Sequence, residues 1–185
     1  FETLPQQVAI VFLVVLLVEG AVLAWAYRSD VLALVTVLGG LATPLLMQTE
    51  YDNYTTFFLY LFALNSGVVL LLVRRDAPVF GTLSLLGTHL LFWSWAWANY
   101  HPEKFTAAML FQVALLLLMR AEVWLGNLWV RRAIHVETLV RMVLVAGLSF
   151  AALYWLLEDN YQPWLGALAI LMAATYAVEA RLLLA

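Results

Sequence analysis

Residues 54–98 read YTTFFLYLFALNSGVVLLLVRRDAPVFGTLSLLGTHLLFWSWAWA. This stretch contains two apolar runs, 54–73 and 79–98, which are separated only by the turn RRDAP. Each run has about 20 residues, which is the length that an α-helix needs to cross the hydrocarbon core of a bilayer. The stretch therefore predicts two membrane-spanning helices joined by a tight turn.

The composition of the whole chain agrees with a membrane protein. Its 185 residues are 65% hydrophobic and 11% charged, against about 45–50% and about 25% in a typical soluble domain. One water-soluble core of this size cannot hide so much apolar surface, which excludes a soluble enzyme. The formal net charge of −3 provides no basic surface for nucleic acid, and the absence of Cys excludes disulfides and thiolate ligands.

Seven apolar runs follow one another along the chain. They are residues 8–27, 31–47, 54–73, 79–98, 105–125, 139–157 and 164–184. Because the runs occupy most of the chain, the loops between them are short and neighbouring helices are expected to be antiparallel. We therefore predict an all-α fold, a polytopic bundle of seven transmembrane helices that forms a single domain. The chain begins at Phe1 rather than Met, which leaves open that it is a fragment of a longer protein.

Charged residues sort to opposite ends of the predicted helices. If the N-terminus lies on side one, the loops on side one are acidic and contain a single basic residue, Lys104. The other eight of the nine basic residues fall on side two, which the positive-inside rule assigns to the cytoplasm. The pattern predicts a bacterial inner-membrane protein with an outside N-terminus and a cytoplasmic C-terminus. The expected cytoplasmic anchors are Arg28, Arg74, Arg75, Arg131 and Arg132.

A proline, an arginine and several aromatic residues within the apolar runs each predict a local structural feature. Pro44 lies in the second run and has no N–H, so it frees a backbone carbonyl and predicts a kink beside Gly39 and Gly40. Arg120 lies in the fifth run, and its long side chain is expected to reach the headgroups. Trp and Tyr collect at the ends of the runs, Trp95 among them, which is typical of interfacial aromatic belts.

Short motifs between residues 38 and 100 resemble a known family. They are a Gly-Gly-x-x-Thr-Pro turn, a Leu-Asn-x-Gly segment, a basic turn and a Gly-Thr span that ends in tryptophans. The matching residues are Gly39, Gly40, Thr43, Pro44, Leu64, Asn65, Gly67, Arg74, Arg75, Gly87, Thr88, Trp93 and Trp95. With these motifs the chain resembles the bacterial polytopic membrane proteins catalogued as domain of unknown function 2339. The resemblance implies a helical membrane fold and carries no activity.

Glu19 is the acidic residue placed most deeply in a predicted span. It lies about eight residues, or roughly 12 Å, from the cytoplasmic end of the first run. Ionisable groups at this depth are costly and are functional candidates by default. Glu19 is therefore either a protonatable carrier or cation ligand, or a structural carboxylate that is neutral or paired with an arginine such as Arg141.

A second group of polar residues is predicted near the bilayer midplane. Asn65 lies near the middle of the third run, and His89 lies in the middle of the fourth. Ser84 and Thr88 share one face of the fourth run because they are separated by i, i+4. Together these residues form either a proton relay or substrate site, or hydrogen bonds that hold the helices together.

The motifs leave three classes of function open. The first is a non-catalytic membrane subunit or scaffold, which the alanine stripe Ala169, Ala173 and Ala177 favours because small residues allow close helix packing. The second is a transporter or flippase-like component for an envelope lipid or small solute, using Glu19 and the midplane residues. The third is an intramembrane enzyme, although no nucleophile elbow, phosphate loop or zinc signature occurs. We predict no cofactor and no metal, and we expect the bilayer and other membrane-protein chains as partners.

Overall fold

The computed structural model describes residues 6–46, 53–74, 78–130, 136–158 and 161–184. Within these ranges the chain forms seven α-helices and one short 3-10 turn, Pro102–Lys104. The helices are α1 (Gln6–Ala26), α2 (Asp30–Leu46), α3 (Tyr54–Arg74), α4 (Pro78–Asn99), α5 (Phe105–Val130), α6 (Val136–Glu158) and α7 (Gln162–Leu184). The predicted all-α fold is confirmed.

Side-chain caps and prolines explain where several helices begin. Before α2, Ser29 Oγ accepts a hydrogen bond from the Leu32 N–H at 3.3 Å. Before α3, Asn53 Oδ1 accepts one from the Thr56 N–H, also at 3.3 Å. Such caps satisfy N–H groups that have no partner in the first turn of a helix. Pro78 is the first residue of α4, where the missing N–H costs nothing.

Four helices in the described part of the chain are long and apolar enough to cross a membrane. These spans are Tyr54–Val73, Val79–Asn99, Pro102–Ala121 and Val136–Glu158. Two shorter apolar helices, Asp30–Leu45 and Gln162–Val178, accompany them. The two runs of the opening stretch are thus candidate spans, and four of the seven predicted crossings have the required length and apolarity in the described part of the chain. The predicted seven crossings are not confirmed.

The first of two compact units comprises Phe1–Asn99. In this unit α1 and α4 each pack against α2 and α3. Helices α1 and α2 approach closely at Gly20, where an added Cβ would lie only 2.5 Å from Thr36 Oγ1. Helices α3 and α4 share an aromatic cluster in which the rings of Phe58 and Trp95 meet edge to face at 4.7 Å. Trp95 is only 7% exposed, so its ring is covered by the protein, near the end of the candidate span Val79–Asn99.

The second compact unit comprises Tyr100–Ala185. Its helix α6 packs against both α5 and α7, and the 3-10 turn packs against α5. Leu115 of α5 and Leu153 of α6 are completely buried in this unit. At one end of the unit, Phe105 stacks on Tyr161 with 4.8 Å between ring centroids. The same unit buries Gln112 of α5, which sequence reasoning did not single out.

Candidate functional site

A buried polar network joins the middle of α3 to α4. Asn65 lies about 11 residues into α3, or about 16 Å along the helix. Ser84 and Thr88 lie one turn apart on α4, and all three side chains have no exposed surface. We call these three residues the polar clasp. The structure thus brings together three of the four residues that the sequence placed at the midplane.

The geometry of the polar clasp satisfies the Asn65 amide without water. Asn65 Nδ2 donates to the Leu61 carbonyl and to Thr88 Oγ1, each at 2.7 Å. Ser84 Oγ donates to Asn65 Oδ1 at 2.8 Å. Two of these three bonds cross from α3 to α4. In an apolar environment such bonds hold helices together and fix their register.

His89 lies next to the polar clasp in sequence but on another side of α4. Consecutive residues are about 100° apart on an α-helix, so His89 faces away from its neighbour Thr88. His89 is 2% exposed, and its Nδ1 lies 3.0 Å from the Leu85 carbonyl oxygen. Because a carbonyl only accepts, Nδ1 carries the hydrogen and Nε2 presents a lone pair. This Nε2 is buried and makes no hydrogen bond within the part of the chain that the structure describes.

Pro44 is compensated from a neighbouring helix. Proline cannot donate to the carbonyl four residues earlier, which is that of Gly40. Tyr60 of α3 supplies the missing donor, since its hydroxyl donates to the Gly40 carbonyl at 2.7 Å. Beside it, Thr43 Oγ1 donates to the Gly39 carbonyl at 2.8 Å. The freed carbonyl that the sequence predicted therefore ties α2 to α3, and α2 continues through Pro44 as one helix.

Glu19 is placed apart from the polar clasp. Its side chain is exposed on α1, whereas Asn65, Ser84, Thr88 and His89 are buried. A common pathway through Glu19 and the midplane residues therefore has no support in this arrangement.

Arg120 lies inside the second unit and not at a headgroup surface. It is 6% exposed, so the expectation that it reaches the headgroups is wrong. Its Nη1 donates to Thr175 Oγ1 at 2.8 Å, and its guanidinium lies 4.2 Å from the centre of the Tyr176 ring. A ring face and a hydroxyl acceptor both stabilise a buried guanidinium. The side chain therefore joins α5 to α7.

Two further buried polar residues of the second unit were missed by sequence reasoning. Gln112 of α5 has no exposed surface, and Ser149 of α6 is 1% exposed. The Gln112 amide atoms and Ser149 Oγ make no hydrogen bond among the described residues. A glutamine in the middle of a long apolar run is the sequence signal that could have identified this position.

The predicted basic anchors fall partly within the described structure. Arg28 is exposed and closes the turn between α1 and α2 with a left-handed φ of 50°. Arg74 is the last residue of α3. Arg75, Arg131 and Arg132 lie outside the described residues. In the described ranges, no three His, Asp or Glu side chains lie together as a metal site would require.

Comparison with known proteins agrees with the motifs. The model of the family described as "Predicted membrane protein (DUF2339)" matches residues 1–185, which is the whole chain. The resemblance found between residues 38 and 100 is therefore confirmed and extends over every helix. No curated protein and no solved structure matches the chain. The apolar helices lie in a lipid bilayer, and the chain belongs to the DUF2339 family of predicted membrane proteins.

Proposed function

We propose that this protein is a non-catalytic membrane subunit or scaffold whose helix α1 packs against a helix of another membrane protein. In this proposal all seven helices cross a bacterial inner membrane, with the N-terminus outside. The observation that carries the proposal is the exposed carboxylate of Glu19 in the middle of an apolar helix.

Exposed apolar residues surround Glu19 on one stripe of α1. Phe12, Val15, Leu16 and Leu23 are 61%, 55%, 45% and 39% exposed. Together with Glu19 they follow the i, i+3, i+4 spacing that places side chains on one helix face. Lipid alone would cover the apolar members of this stripe, but it offers no partner to a carboxylate. A charged side chain facing hydrocarbon costs about 2.5–3.5 kcal/mol at the centre of a span on insertion scales.

The chemistry of Glu19 specifies what the partner helix provides. A carboxylate in an apolar contact needs a hydrogen-bond donor, either a cationic side chain or a hydroxyl or amide group. Small residues beside it allow a close approach, and Gly20 follows directly in the sequence. The polar clasp supports the same function, because its groups satisfy one another and leave a dry contact between α3 and α4.

Replacing Glu19 with leucine is expected to weaken the partner contact about 5- to 30-fold, since an interhelical hydrogen bond to a polar side chain contributes about 1–2 kcal/mol in model peptides. A photo-crosslinking amino acid at position 16, in living cells, reports the contact as a covalent adduct. We expect the adduct to disappear in Glu19→Leu and to weaken in Glu19→Gln. Glu137→Gln is the matched control, because Glu137 is also exposed on a helix but lies in the first turn of α6. If the adduct forms with the same yield in Glu19→Leu as with the natural Glu19, the proposed contact is refuted.

The proposed orientation is tested by cysteine labelling, because the natural chain contains no Cys. Glu158→Cys, at the exposed end of α6, is expected to react with an impermeant maleimide in intact cells. Tyr27→Cys, which is 73% exposed beside the α1–α2 turn, is expected to react only after the membrane is permeabilised. The reverse pattern would place the N-terminus in the cytoplasm.

A transporter or flippase-like component is the second candidate, and one observation favours it. The buried Nε2 of His89 accepts no hydrogen bond within the described residues and is available to a proton or a polar solute. The two functions separate in proteoliposomes, where transport predicts a flux that His89→Gln abolishes and Glu19→Leu leaves unchanged. A subunit or scaffold predicts no flux from the isolated chain and a stoichiometric partner on purification.

A further inference from the structure

An apolar groove lies within the first unit between α1, α2 and α3. It encloses about 260 Å³ and is open along one side. We call it the α1–α3 groove. Its walls include Val18 and Trp25 of α1, Ala33 of α2, and Ala63, Leu64 and Gly67 of α3. The Leu-Asn-x-Gly segment is therefore divided between two structures, because Leu64 and Gly67 line the groove while Asn65 forms the polar clasp.

The chemistry of the α1–α3 groove suits a hydrocarbon chain. Alanine and glycine leave the space open, since larger side chains at the same positions would fill it. The two hydroxyl groups along its walls are already bonded: Thr36 Oγ1 donates to the Leu32 carbonyl at 2.8 Å, and Tyr60 donates to Gly40. Both hydroxyl groups of the groove therefore already have hydrogen-bond partners, which makes the groove poorly suited to a polar solute. An empty apolar groove would forfeit the dispersion contacts of its walls.

The size of the α1–α3 groove fits part of one acyl chain. A methylene group occupies about the same space as a water molecule, whose share of liquid volume is about 30 Å³. The groove thus has room for a run of several such groups, which is part of a phospholipid tail.

A basic residue lies in the turn that adjoins one end of the α1–α3 groove. Trp25 and Ala33 line the groove at the end of α1 and the start of α2, and Arg28 lies in the turn that joins these helices. Arg28 is exposed, and its backbone is fixed at a φ of 50°. The guanidinium matches the geometry and charge of a phosphate. Asp30 lies in the same turn, at the N-terminus of α2, where a carboxylate is favoured by the helix dipole.

We propose that the α1–α3 groove binds one acyl chain of a phospholipid whose phosphate contacts Arg28. The lipid is a bound component of the first unit and differs from bulk lipid in exchanging slowly. This inference rests on residues other than those of the proposed subunit function, because Glu19 is not among the residues that line the groove.

The test uses native mass spectrometry of the full chain in mild detergent, titrated with dioleoyl phosphatidylglycerol. We expect one phospholipid to remain bound at collision energies that remove the detergent. Gly67→Leu directs a side chain into the groove, since an added Cβ at Gly67 meets no atom within 4 Å. Relative to the natural chain, we expect the lipid affinity of Gly67→Leu to fall at least tenfold. The lipid affinity of Arg28→Gln is expected to fall several-fold.

Gly147→Leu is the matched control for added bulk. An added Cβ at Gly147 likewise meets no atom within 4 Å, and Gly147, which lies on α6, is not among the residues that line the groove. The lipid affinity of Gly147→Leu is expected to equal that of the natural chain. Gly67→Val provides a smaller filling if Gly67→Leu is not stably folded. Unchanged lipid retention in both Gly67 variants, no retained lipid in the natural chain, or retention of a second copy of the chain in its place would each overturn the proposal.

Discussion

Replacing Asn65 with alanine is expected to lower the free energy of unfolding by about 2 kcal/mol. The substitution removes both bonds that cross from α3 to α4, and it leaves a space where a fully buried side chain was. Ser84 Oγ also loses its acceptor in surroundings without water. The free energy is measured by unfolding in mixed micelles of increasing denaturing detergent, followed by tryptophan fluorescence.

Ser66→Ala is the control for the loss of a polar group at this depth. Ser66 follows Asn65 directly, but its Oγ donates to the Phe62 carbonyl of its own helix at 2.8 Å. Its removal breaks no contact between helices and is expected to change stability by less than about 0.5 kcal/mol. If Asn65→Ala and Ser66→Ala destabilise the chain equally, the polar clasp does not hold α3 and α4 together.

Tyr60→Phe is expected to destabilise the chain by about 1–2 kcal/mol. The variant keeps the aromatic ring but removes the hydroxyl that donates to the Gly40 carbonyl. Gly40 is buried, and Pro44 cannot supply an N–H to its carbonyl. A buried acceptor without a donor costs about 1–3 kcal/mol. Unfolding in mixed micelles measures this loss.

A double-mutant cycle with Pro44→Ala identifies the cause of this loss. Alanine at position 44 restores the N–H that the Gly40 carbonyl lacks. In that background the Tyr60 hydroxyl has become redundant, so Tyr60→Phe is expected to cost less than about 0.5 kcal/mol. An equal cost in both backgrounds would show that the Tyr60 hydroxyl does not compensate for the proline.

The sequence predicts the polar clasp because its cues are local. Ser84 and Thr88 share a face through their i, i+4 spacing, and a short turn between α3 and α4 makes these helices neighbours. Asn65 lies near the middle of its run, so its depth matches theirs. The Gly40 carbonyl is likewise predictable, because Pro44 alone determines which backbone group loses its donor. The identity of the compensating donor, Tyr60, depends on packing and is not contained in that local pattern.

The exposure of Glu19 could not be predicted from the same kind of pattern. Residues of α1 are apolar on every side, so hydrophobic periodicity does not distinguish the face that packs inward from the face that meets lipid. The depth of Glu19 along α1 follows from counting residues. The direction in which its side chain points around the helix depends on which helices pack against α1. The contacts of α1 with α2 and α3 determine that Glu19 points outward.

Arg120 shows the same limit for an interior group. The rule that long basic side chains reach the headgroups assumes that nothing closer stabilises the charge. Thr175 and Tyr176 do so from a helix about 55 residues later in the chain, a separation at which no local spacing rule applies. The burial of the Trp95 ring likewise depends on packing, since Phe58 of the neighbouring helix contacts it.

The contact between Arg120 and α7 also has a consequence for biogenesis. The ribosome releases α5 before α7, so the guanidinium enters the bilayer while the ring and the hydroxyl that will cover it are still unsynthesised. Helix α7 is one of the two shorter apolar helices, and its apolar segment Gln162–Val178 is shorter than the four candidate spans. The two helices therefore stabilise each other: Thr175 and Tyr176 of α7 cover the Arg120 guanidinium, and their contacts with Arg120 hold α7 against α5. The second unit can therefore complete its packing only after α7, the last helix, has been translated.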